Sequence, residues 1–291
     1  TSAVTTGEAG SRTALAYRRF PGSNALRVSG SIALDRKEAR QTVSVDNPTM
    51  FLASALRRAL VARGIAIQGE AVDADSLPDS PARPDAEAAP PSEPPARLVL
   101  LTHVSPPLAE IIKVTLKVSQ NMYADTLLRL VGTTATGTDP VGSASAGQAA
   151  VEEQLKAWHI DADRYVLADG SGLSRYNYLS ASMVADVLTA MYNDDRHRQP
   201  FLDALPIAGV DGTIAARMKG TRAENNARAK TGSIAHARAL SGFVTSAEGE
   251  PLVFSMIVNN FTVPQAEADA VIDRAVARLA EFRRRCRRRR A

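Results

Sequence analysis

The sequence has almost no cysteine and no long apolar segment. Its one cysteine, Cys286, has no partner in the chain, so an internal disulfide is excluded and the redox state of the compartment stays open. No run approaches the roughly 18 apolar residues of a membrane-spanning helix. The first residues contain neither a methionine nor a basic stretch followed by an apolar one, and we therefore expect the natural N-terminus to lie upstream of Thr1.

Lysine is also scarce, and arginine carries most of the positive charge. Lysine occurs only at positions 37, 113, 117, 156, 219 and 230. A catalytic lysine therefore has few candidates.

An arginine-rich tail at 283–291 holds seven arginines, in a chain whose formal net charge is +4. Such a tail is either a solvated, disordered end or a place of weak contact with an anionic membrane surface. One terminal cluster is too small a basic footprint to predict nucleic-acid binding.

Composition divides the rest of the chain into three segments. Residues 73–97 are rich in proline, alanine and acidic residues and have no apolar periodicity, which indicates a linker or surface insertion. We expect residues 1–72 to form a small α/β unit and residues 98–282 to form a larger domain. The hydrophobic content of 45% is enough for a packed core.

Within residues 1–72, one strand and one helix are predicted. Residues 26–34 alternate as in a strand, and a helix follows that begins at Asn47-Pro48 and ends at Gly64. One face of this helix is formed by Leu52, Ala55, Leu56, Ala59 and Leu60.

Helical periodicity recurs in residues 98–282. Ser105 is predicted to cap a helix opened by Pro106, residues 119–121 interrupt it before a second helix, Ser180 caps a third, and a fourth begins near Gln265. The inward-facing residues of the first helix are predicted to be Leu108, Ile111, Ile112 and Leu116.

Three strand-like runs lie between these helices, at 229–234, 239–245 and 252–258, and Glu248-Gly249 forms the turn between the last two. Short turns between adjacent strands imply an antiparallel sheet. Helices before and after such a sheet predict an α+β fold and argue against a doubly wound nucleotide-binding fold. Neither nucleotide-binding glycine motif is present, and the four histidines lack paired metal-ligand spacing, so no cofactor or metal is predicted.

Two short motifs place polar residues where helices and strands begin. Ser119 and Asn121 stand between two predicted helices, where a hydroxyl and an amide can project into a cleft together. Lys230, Thr231 and Gly232 open a predicted strand, where the lysine offers a point charge for a carboxylate and the glycine permits close approach of a ligand. In this order they match S-x-N and K-T-G, two of the three signatures of active-serine penicillin-recognising enzymes.

Four further blocks make the resemblance more specific. They read SPPL at 105–108, NMYADTL at 121–127, DGSGLSR at 169–175 and LPIAGVDGT at 205–213. With them the chain resembles the class C low-molecular-mass penicillin-binding proteins, the D-alanyl-D-alanine carboxypeptidase/endopeptidase family. The resemblance covers most of the chain outside the linker and both tails. It implies a transpeptidase-like, β-lactamase-like domain at 98–282, preceded by the end of an inserted subdomain at 1–72.

The resemblance implies an acyl-enzyme mechanism. A serine attacks the peptide carbonyl between two D-alanines, D-alanine leaves, and water releases the shortened peptide. It assigns Ser119 and Lys230 to the proton relay at the leaving nitrogen, and Asn121 to a hydrogen bond with the substrate backbone. The expected partners are peptidoglycan stem peptides and β-lactam antibiotics, in a periplasmic or cell-surface location.

The resemblance also implies a substrate-binding strand. Lys230 and Thr231 would hold the terminal carboxylate, Gly232 would let the substrate approach, and the backbone N–H of Ser233 would be one oxyanion donor. Asp169 and Ser171 either line the cleft or form a tight turn that needs its glycines.

The third signature, S-x-x-K, is absent. The residues three positions before the six lysines are Leu34, Glu110, Val114, Glu153, Ala216 and Ala227. The nucleophile and its activating lysine are therefore missing, and the chain as written is expected not to form an acyl-enzyme. In the family this segment precedes the inserted region, so truncation at the N-terminus is the preferred explanation.

Two other functions stay open at this point. A β-lactamase-like hydrolase shares the three signatures but needs a placed base for deacylation, and no such carboxylate is identifiable. A catalytically dead peptidoglycan-binding module is compatible with the missing S-x-x-K.

Three conspicuous residues receive structural interpretations: Asp125 stabilises a helix dipole, Asp211 belongs to a turn, and Trp158 belongs to the core.

Overall fold

The computed structural model describes residues 1–73, 101–135 and 142–284. The chain divides into two compact units, Thr1–Leu101 and Thr102–Ala291, here called unit 1 and unit 2. The predicted linker, apart from residue 73, and the arginine-rich tail beyond residue 284 lie outside the described residues.

The described residues of unit 1 form a three-stranded sheet and one helix. The strands are β1 (Ser2–Gly7), β2 (Ala14–Arg19) and β3 (Leu26–Ala33), and β3 lies in the middle, parallel to β1 and antiparallel to β2. The sequence pattern predicted β3 and missed the two outer strands, because both are short and have few buried residues to create a pattern.

The helix of unit 1, α1 (Pro48–Val61), begins where it was predicted. Asn47 accepts a hydrogen bond from the Met50 N–H, and Pro48 opens the first turn. Its apolar face is not buried, since Leu52 and Leu56 are largely exposed.

Unit 2 combines six helices with two antiparallel sheets among its described residues. The helices are α2 (Leu108–Lys117), α3 (Asn121–Ala135), α4 (Ala144–Ala157), α5 (Ala181–Asn193), α6 (Arg198–Ala204) and α7 (Gln265–Glu281). The strands are β4 (Tyr165–Val166), β5 (Tyr178–Leu179), β6 (Arg228–Ile234), β7 (Ala237–Thr245) and β8 (Pro251–Asn259). The predicted α+β class is confirmed.

The main sheet has the order β6-β7-β8 and is antiparallel throughout. The predicted turn between the last two strands is present, and Gly249 there has a φ of 83°, which favours glycine. Helices cover both faces. Leu240 and Val244 pack with Ile272 and Val276 of α7, whereas Phe243, from the opposite face of β7, packs with α5 and α6.

Ser180 caps α5 by accepting a hydrogen bond from the Met183 N–H, as predicted. The predicted start of α2 is wrong. The helix begins at Leu108, with Pro107 at the cap position and no side-chain cap. Ser105 and Pro106 each precede a proline, which disfavours helical backbone at both. Leu108, predicted to face inward, is 56% exposed.

We predict that Gly242→Ala destabilises unit 2 severely. Gly242 pairs with Ala229, and a Cβ at this position would lie 2.1 Å from the Arg228 carbonyl oxygen, so β6 and β7 would have to separate. The expected loss in the free energy of unfolding is about 3 kcal/mol. Urea unfolding followed by the fluorescence of Trp158, the one tryptophan, measures it.

The control is Gly249→Asn, at a turn position with positive φ where an added Cβ would meet no atom within 4 Å. Asparagine tolerates this backbone, so the control should lose less than about 1 kcal/mol. Equal unfolding midpoints for the two variants would contradict the close approach of β6 and β7.

Candidate active site

Ser119 occupies a sharp turn between α2 and α3. Its φ of 58° lies in the left-handed region, which costs a non-glycine residue on the order of 1–3 kcal/mol and is frequent at functional sites. The Val118 N–H donates to the Val114 carbonyl and the Gln120 N–H to that of Thr115, so the turn is tied to the end of α2. The half-buried hydroxyl of Ser119 is thus held in one place.

Lys230, near the start of β6, reaches this hydroxyl. Its Nζ donates to Ser119 Oγ at 2.8 Å and to the Thr231 carbonyl oxygen at 2.6 Å. The two residues that the resemblance assigns to a proton relay are therefore within hydrogen-bond distance of each other. Burial lowers the pKa of Lys230 below its usual 10.5, because a buried ammonium loses hydration.

Within the described residues, the side of β6 that faces away from β7 is open beyond its first residues. The Ala229 N–H points to this side and donates to the Pro206 carbonyl oxygen at 2.9 Å. Because successive N–H groups of a strand point to opposite sides, Thr231 and Ser233 present their N–H groups to the same side. We call this side, from Thr231 to Ile234, the open edge.

A cleft of about 400 Å³ lies between the open edge, the Ser119 turn and the loop after β4. It brings together Ser119, Asn121, Ser171, Lys230, Thr231, Gly232 and Ser233 of the predicted site residues. Asn121 reaches it because it begins α3, directly after the Ser119 turn.

Asp169 does not line this cleft; it holds the loop that does. Its carboxylate accepts hydrogen bonds from the Gly172 and Ser174 N–H groups, the Ser171 hydroxyl and the Asn177 amide. Burial acts to raise the pKa of Asp169, but these hydrogen bonds outweigh it and the pKa lies below its usual value. The turn interpretation therefore fits Asp169, and Ser171 faces the cleft.

Asp125 has a role that the sequence interpretation missed. Its Oδ1 accepts hydrogen bonds from the Gly170 N–H at 2.9 Å and the Ser171 N–H at 3.0 Å, so it ties α3 to the cleft wall. The helix-dipole interpretation is wrong, because Asp125 lies beyond the first turn of α3. Its partners are 45 and 46 residues away, which no local pattern indicates.

Thr213 was also missed as a cleft residue. It follows Asp211 and Gly212 in the 205–213 block, and its Oγ1 accepts a hydrogen bond from Thr231 Oγ1 at 2.9 Å. The block itself was the available signal, but only the turn interpretation was drawn from it. Trp158, by contrast, packs against the buried cluster of Leu155, Ile160, Tyr165 and Met183, as predicted.

Over the described ranges, no group of three or more histidine, cysteine, aspartate or glutamate residues could hold a metal ion. In the same part of the chain, no helix is long and apolar enough to cross a membrane.

Comparison with known families decides the relationship. The model of the D-Ala-D-Ala carboxypeptidase 3 (S13) family matches residues 1–282. The chain belongs to the S13 family. The match extends through both units, and the resemblance seen in the short motifs is confirmed.

Individual S13 relatives agree with this. The chain is 36% identical over 283 residues to a D-alanyl-D-alanine carboxypeptidase of Actinomadura sp., covering 95% of this chain and 48% of the relative. It is 30% identical over 249 residues to the D-alanyl-D-alanine carboxypeptidase DacB of Haemophilus influenzae, covering 84% of this chain and 48% of the relative. The chain thus spans about half the length of these two curated relatives.

A solved structure shows the same fold. Penicillin binding protein 4 of Haemophilus influenzae, in complex with a novel β-lactam, matches with a TM-score of 0.72 and 27% identity, over 93% of this chain and 60% of that chain. The penicillin-binding-protein fold predicted from the sequence is therefore shown.

We predict that Lys230 gives the protein a pH-dependent stability that Lys230→Met removes. Below its lowered folded-state pKa, Lys230 is charged in both states and the burial penalty is fully present. Between that pKa and 10.5, only the unfolded state keeps the proton, so stability rises with pH; above 10.5 the penalty is gone. Wild type should therefore gain stability relative to Lys230→Met as pH increases toward 10.5.

Urea unfolding followed by Trp158 fluorescence, at a series of alkaline pH values, measures this difference. Lys219→Met, which removes an exposed lysine outside the cleft, is the control and should run parallel to wild type. If Lys230→Met also ran parallel to wild type, the folded-state pKa of Lys230 would not be lowered.

We predict that Asp125→Ala loosens the cleft wall. Without the carboxylate, the Gly170 and Ser171 amides lose hydrogen bonds to a charged acceptor, and their exchange should accelerate roughly 10-fold or more. Residue-resolved hydrogen exchange measures this effect. Asp125→Asn keeps an acceptor oxygen and should change the two rates less, whereas equal acceleration in both variants would argue for a general loss of stability.

Proposed function

We propose that this chain forms the leaving-group and carboxylate-binding side of a serine-type D-alanyl-D-alanine carboxypeptidase/endopeptidase that acts on peptidoglycan stem peptides. The observation that carries the proposal is the hydrogen bond of Lys230 Nζ to Ser119 Oγ beside the open edge. The S13 family and the carboxypeptidase relatives support it. Residues 98–282 would supply this part of the catalytic domain.

Ser119 and Lys230 are proposed to deliver a proton to the leaving amine. Ser119 gives its hydroxyl proton to the nitrogen of the departing D-alanine as the C–N bond breaks, and it regains a proton from the Lys230 ammonium. A lysine whose pKa is lowered by burial gives up this proton more readily than an exposed one. The carbonyl oxygen of Thr231 keeps the amine in place during the transfer.

The open edge is proposed to bind the end of the peptide. A stem peptide lying beside β6 would pair with its unpaired backbone groups, as an added strand does. The Thr231 hydroxyl and the Lys230 ammonium would hold the terminal carboxylate, and the Asn121 amide would bind the peptide backbone. The Ser233 N–H would stabilise the oxyanion that develops on the attacked carbonyl.

The attacking serine is not assigned to any residue of this sequence, which contains no S-x-x-K. The proposal therefore concerns a protein in which this chain is joined to such a segment. β-Lactams are proposed to occupy the same cleft, since penicillin binding protein 4 of Haemophilus influenzae is known in complex with one. A peptidoglycan substrate implies an extracytoplasmic location, periplasmic or at the cell surface.

We predict that, in an S13 protein that joins this chain to its S-x-x-K segment, Lys230→Ala and Ser119→Ala slow labelling by a fluorescent penicillin and hydrolysis of a D-Ala-D-Ala peptide. Loss of general acid–base catalysis costs on the order of 10²- to 10⁴-fold. Lys156→Ala removes an exposed lysine of α4 that lies outside the cleft, and it should leave both rates unchanged.

Three outcomes would contradict the proposal. The 291-residue chain alone should not be labelled, and covalent labelling would show that the nucleophile lies within it. Unchanged turnover in Lys230→Ala would contradict the assignment of β6 as the catalytic strand. Binding of peptidoglycan without labelling, in the protein that carries S-x-x-K, would favour a catalytically dead binding module instead.

A further inference from the structure

A half-buried ion pair lies next to the cleft, between two residues outside the S-x-N and K-T-G motifs. Lys117, the last residue of α2, donates from Nζ to both carboxylate oxygens of Asp211, at 2.6 Å and 2.8 Å. The Lys117 side chain is only 13% exposed and that of Asp211 is 40% exposed. The basic side chain is more enclosed here than in most ion pairs of the described residues, and only the pairs of Arg217 and Arg238 with α7 are comparable.

Asp211 is held from a second direction as well. The Ile207 N–H donates to Asp211 Oδ1 at 2.8 Å. Burial acts to raise the pKa of Asp211, but the hydrogen bonds from Lys117 and Ile207 outweigh it and keep the pKa below its usual value. Asp211 therefore carries the negative charge that pairs with Lys117 near neutral pH.

The ion pair connects the turn that carries Ser119 with the segment that contacts β6, the strand that carries Lys230. On one side, Ser119 follows Lys117 by two residues and lies in the turn that ends α2. On the other side, Thr213 follows Asp211 by two residues and is bonded to Thr231 of β6.

The segment between Pro206 and Thr213 is itself fastened to β6. The Ala208 N–H donates to the Ala227 carbonyl and the Ala229 N–H to the Pro206 carbonyl, both at 2.9 Å. At Gly212, whose φ is 61°, a Cβ would lie 2.7 Å from the Lys117 carbonyl oxygen. The backbone of this segment therefore packs directly against the end of α2, beside the ion pair. In the part of the chain that the structure describes, only this ion pair joins the end of α2 to that segment through charged side chains.

We propose that Lys117 and Asp211 are positioning residues, whose ion pair sets the distance between the Ser119 turn and Lys230 on β6. The effect of this distance on catalysis rests on the proposed function. Their role is geometric, because Lys230 donates its hydrogen bonds to Ser119 and Thr231 and not to Asp211. A misplacement of about 1 Å between reacting groups can reduce a rate on the order of 10²-fold.

The first test measures geometry in this chain, without any need for activity. Pulse acetylation above pH 10.5, where lysine amines are largely neutral whether buried or exposed, followed by mass spectrometry gives the accessibility of each of the six lysines. In wild type, Lys230 should react slowly because it is half-buried and hydrogen-bonded to Ser119. Asp211→Asn should raise its rate several-fold while Lys219 keeps its rate.

The matched control is Asp273→Asn. Asp273 pairs with Arg217 at 2.7 Å with both side chains similarly enclosed, 21% and 17% exposed, but it lies on α7 and outside the cleft. It should leave the Lys230 rate unchanged. If a changed Trp158 fluorescence spectrum shows that Asp211→Asn does not fold, Lys117→Met replaces it. Lys117→Met should raise the Lys230 rate to the same extent. An unchanged Lys230 rate in a folded variant would overturn the proposal.

The second test measures catalysis in the protein that carries S-x-x-K. Lys117→Met and Asp211→Asn should each lower kcat for a D-Ala-D-Ala peptide about 10- to 100-fold with a smaller change in KM. The double variant should lose little more than either single one, because both remove the same contact. Asp273→Asn should lower only the thermal midpoint.

The two tests separate the proposals. If Lys230 becomes reactive in Asp211→Asn but wild-type protein has no peptidase activity, the ion pair positions Lys230 and the proposed function fails. If wild type is active and kcat is insensitive to both substitutions, the proposed function stands and the positioning role is wrong.

Discussion

The cleft of this protein depends on one hydrogen bond between residues that are 111 positions apart, from Lys230 Nζ to Ser119 Oγ. It joins a helix–helix turn to the edge of a sheet, and these two elements have no reason to meet unless the whole of unit 2 is folded. The left-handed backbone at Ser119 is tolerable for the same reason, since the surrounding contacts over-determine it. The geometry of the cleft therefore depends on the fold of unit 2, and a substitution that loosens the main sheet also disturbs the cleft.

Lys230 belongs to β6, which lies at the edge of the main sheet. If another strand covered β6 beyond the Ile207–Arg228 bridge, the N–H groups of Thr231 and Ser233 would be occupied. Instead only one side of β6 pairs with β7, and the two helical layers bury the faces of the sheet. The hydrogen-bonding groups on the other side of β6 are therefore directed at the cleft.

The sequence was sufficient for those parts whose signals are local. Alternation and turn residues predicted all three strands of the main sheet, and two tripeptides identified Ser119 and Lys230 together with the strand that carries the lysine. The features that the sequence did not predict depend on contacts between residues far apart in the sequence, or on the exposure of side chains. Asp125 was interpreted from its own helix because its partners, Gly170 and Ser171, lie on a remote loop. α2 begins later than the capping pattern at Ser105 predicts, because the two prolines that follow Ser105 disfavour helical backbone before them.

The open edge has a consequence for self-association. An unpaired strand edge is a template on which a second copy of the chain can add a strand, and long, flat edges of this kind lead to aggregation. Among the described residues of unit 2, the Ile207–Arg228 bridge covers the first part of β6 and leaves the part from Thr231 to Ile234 unpaired on this side. Gly232, in the middle of that part, contributes no side chain to hold a neighbouring strand in register. An edge this short gives an intermolecular sheet almost nothing to propagate along.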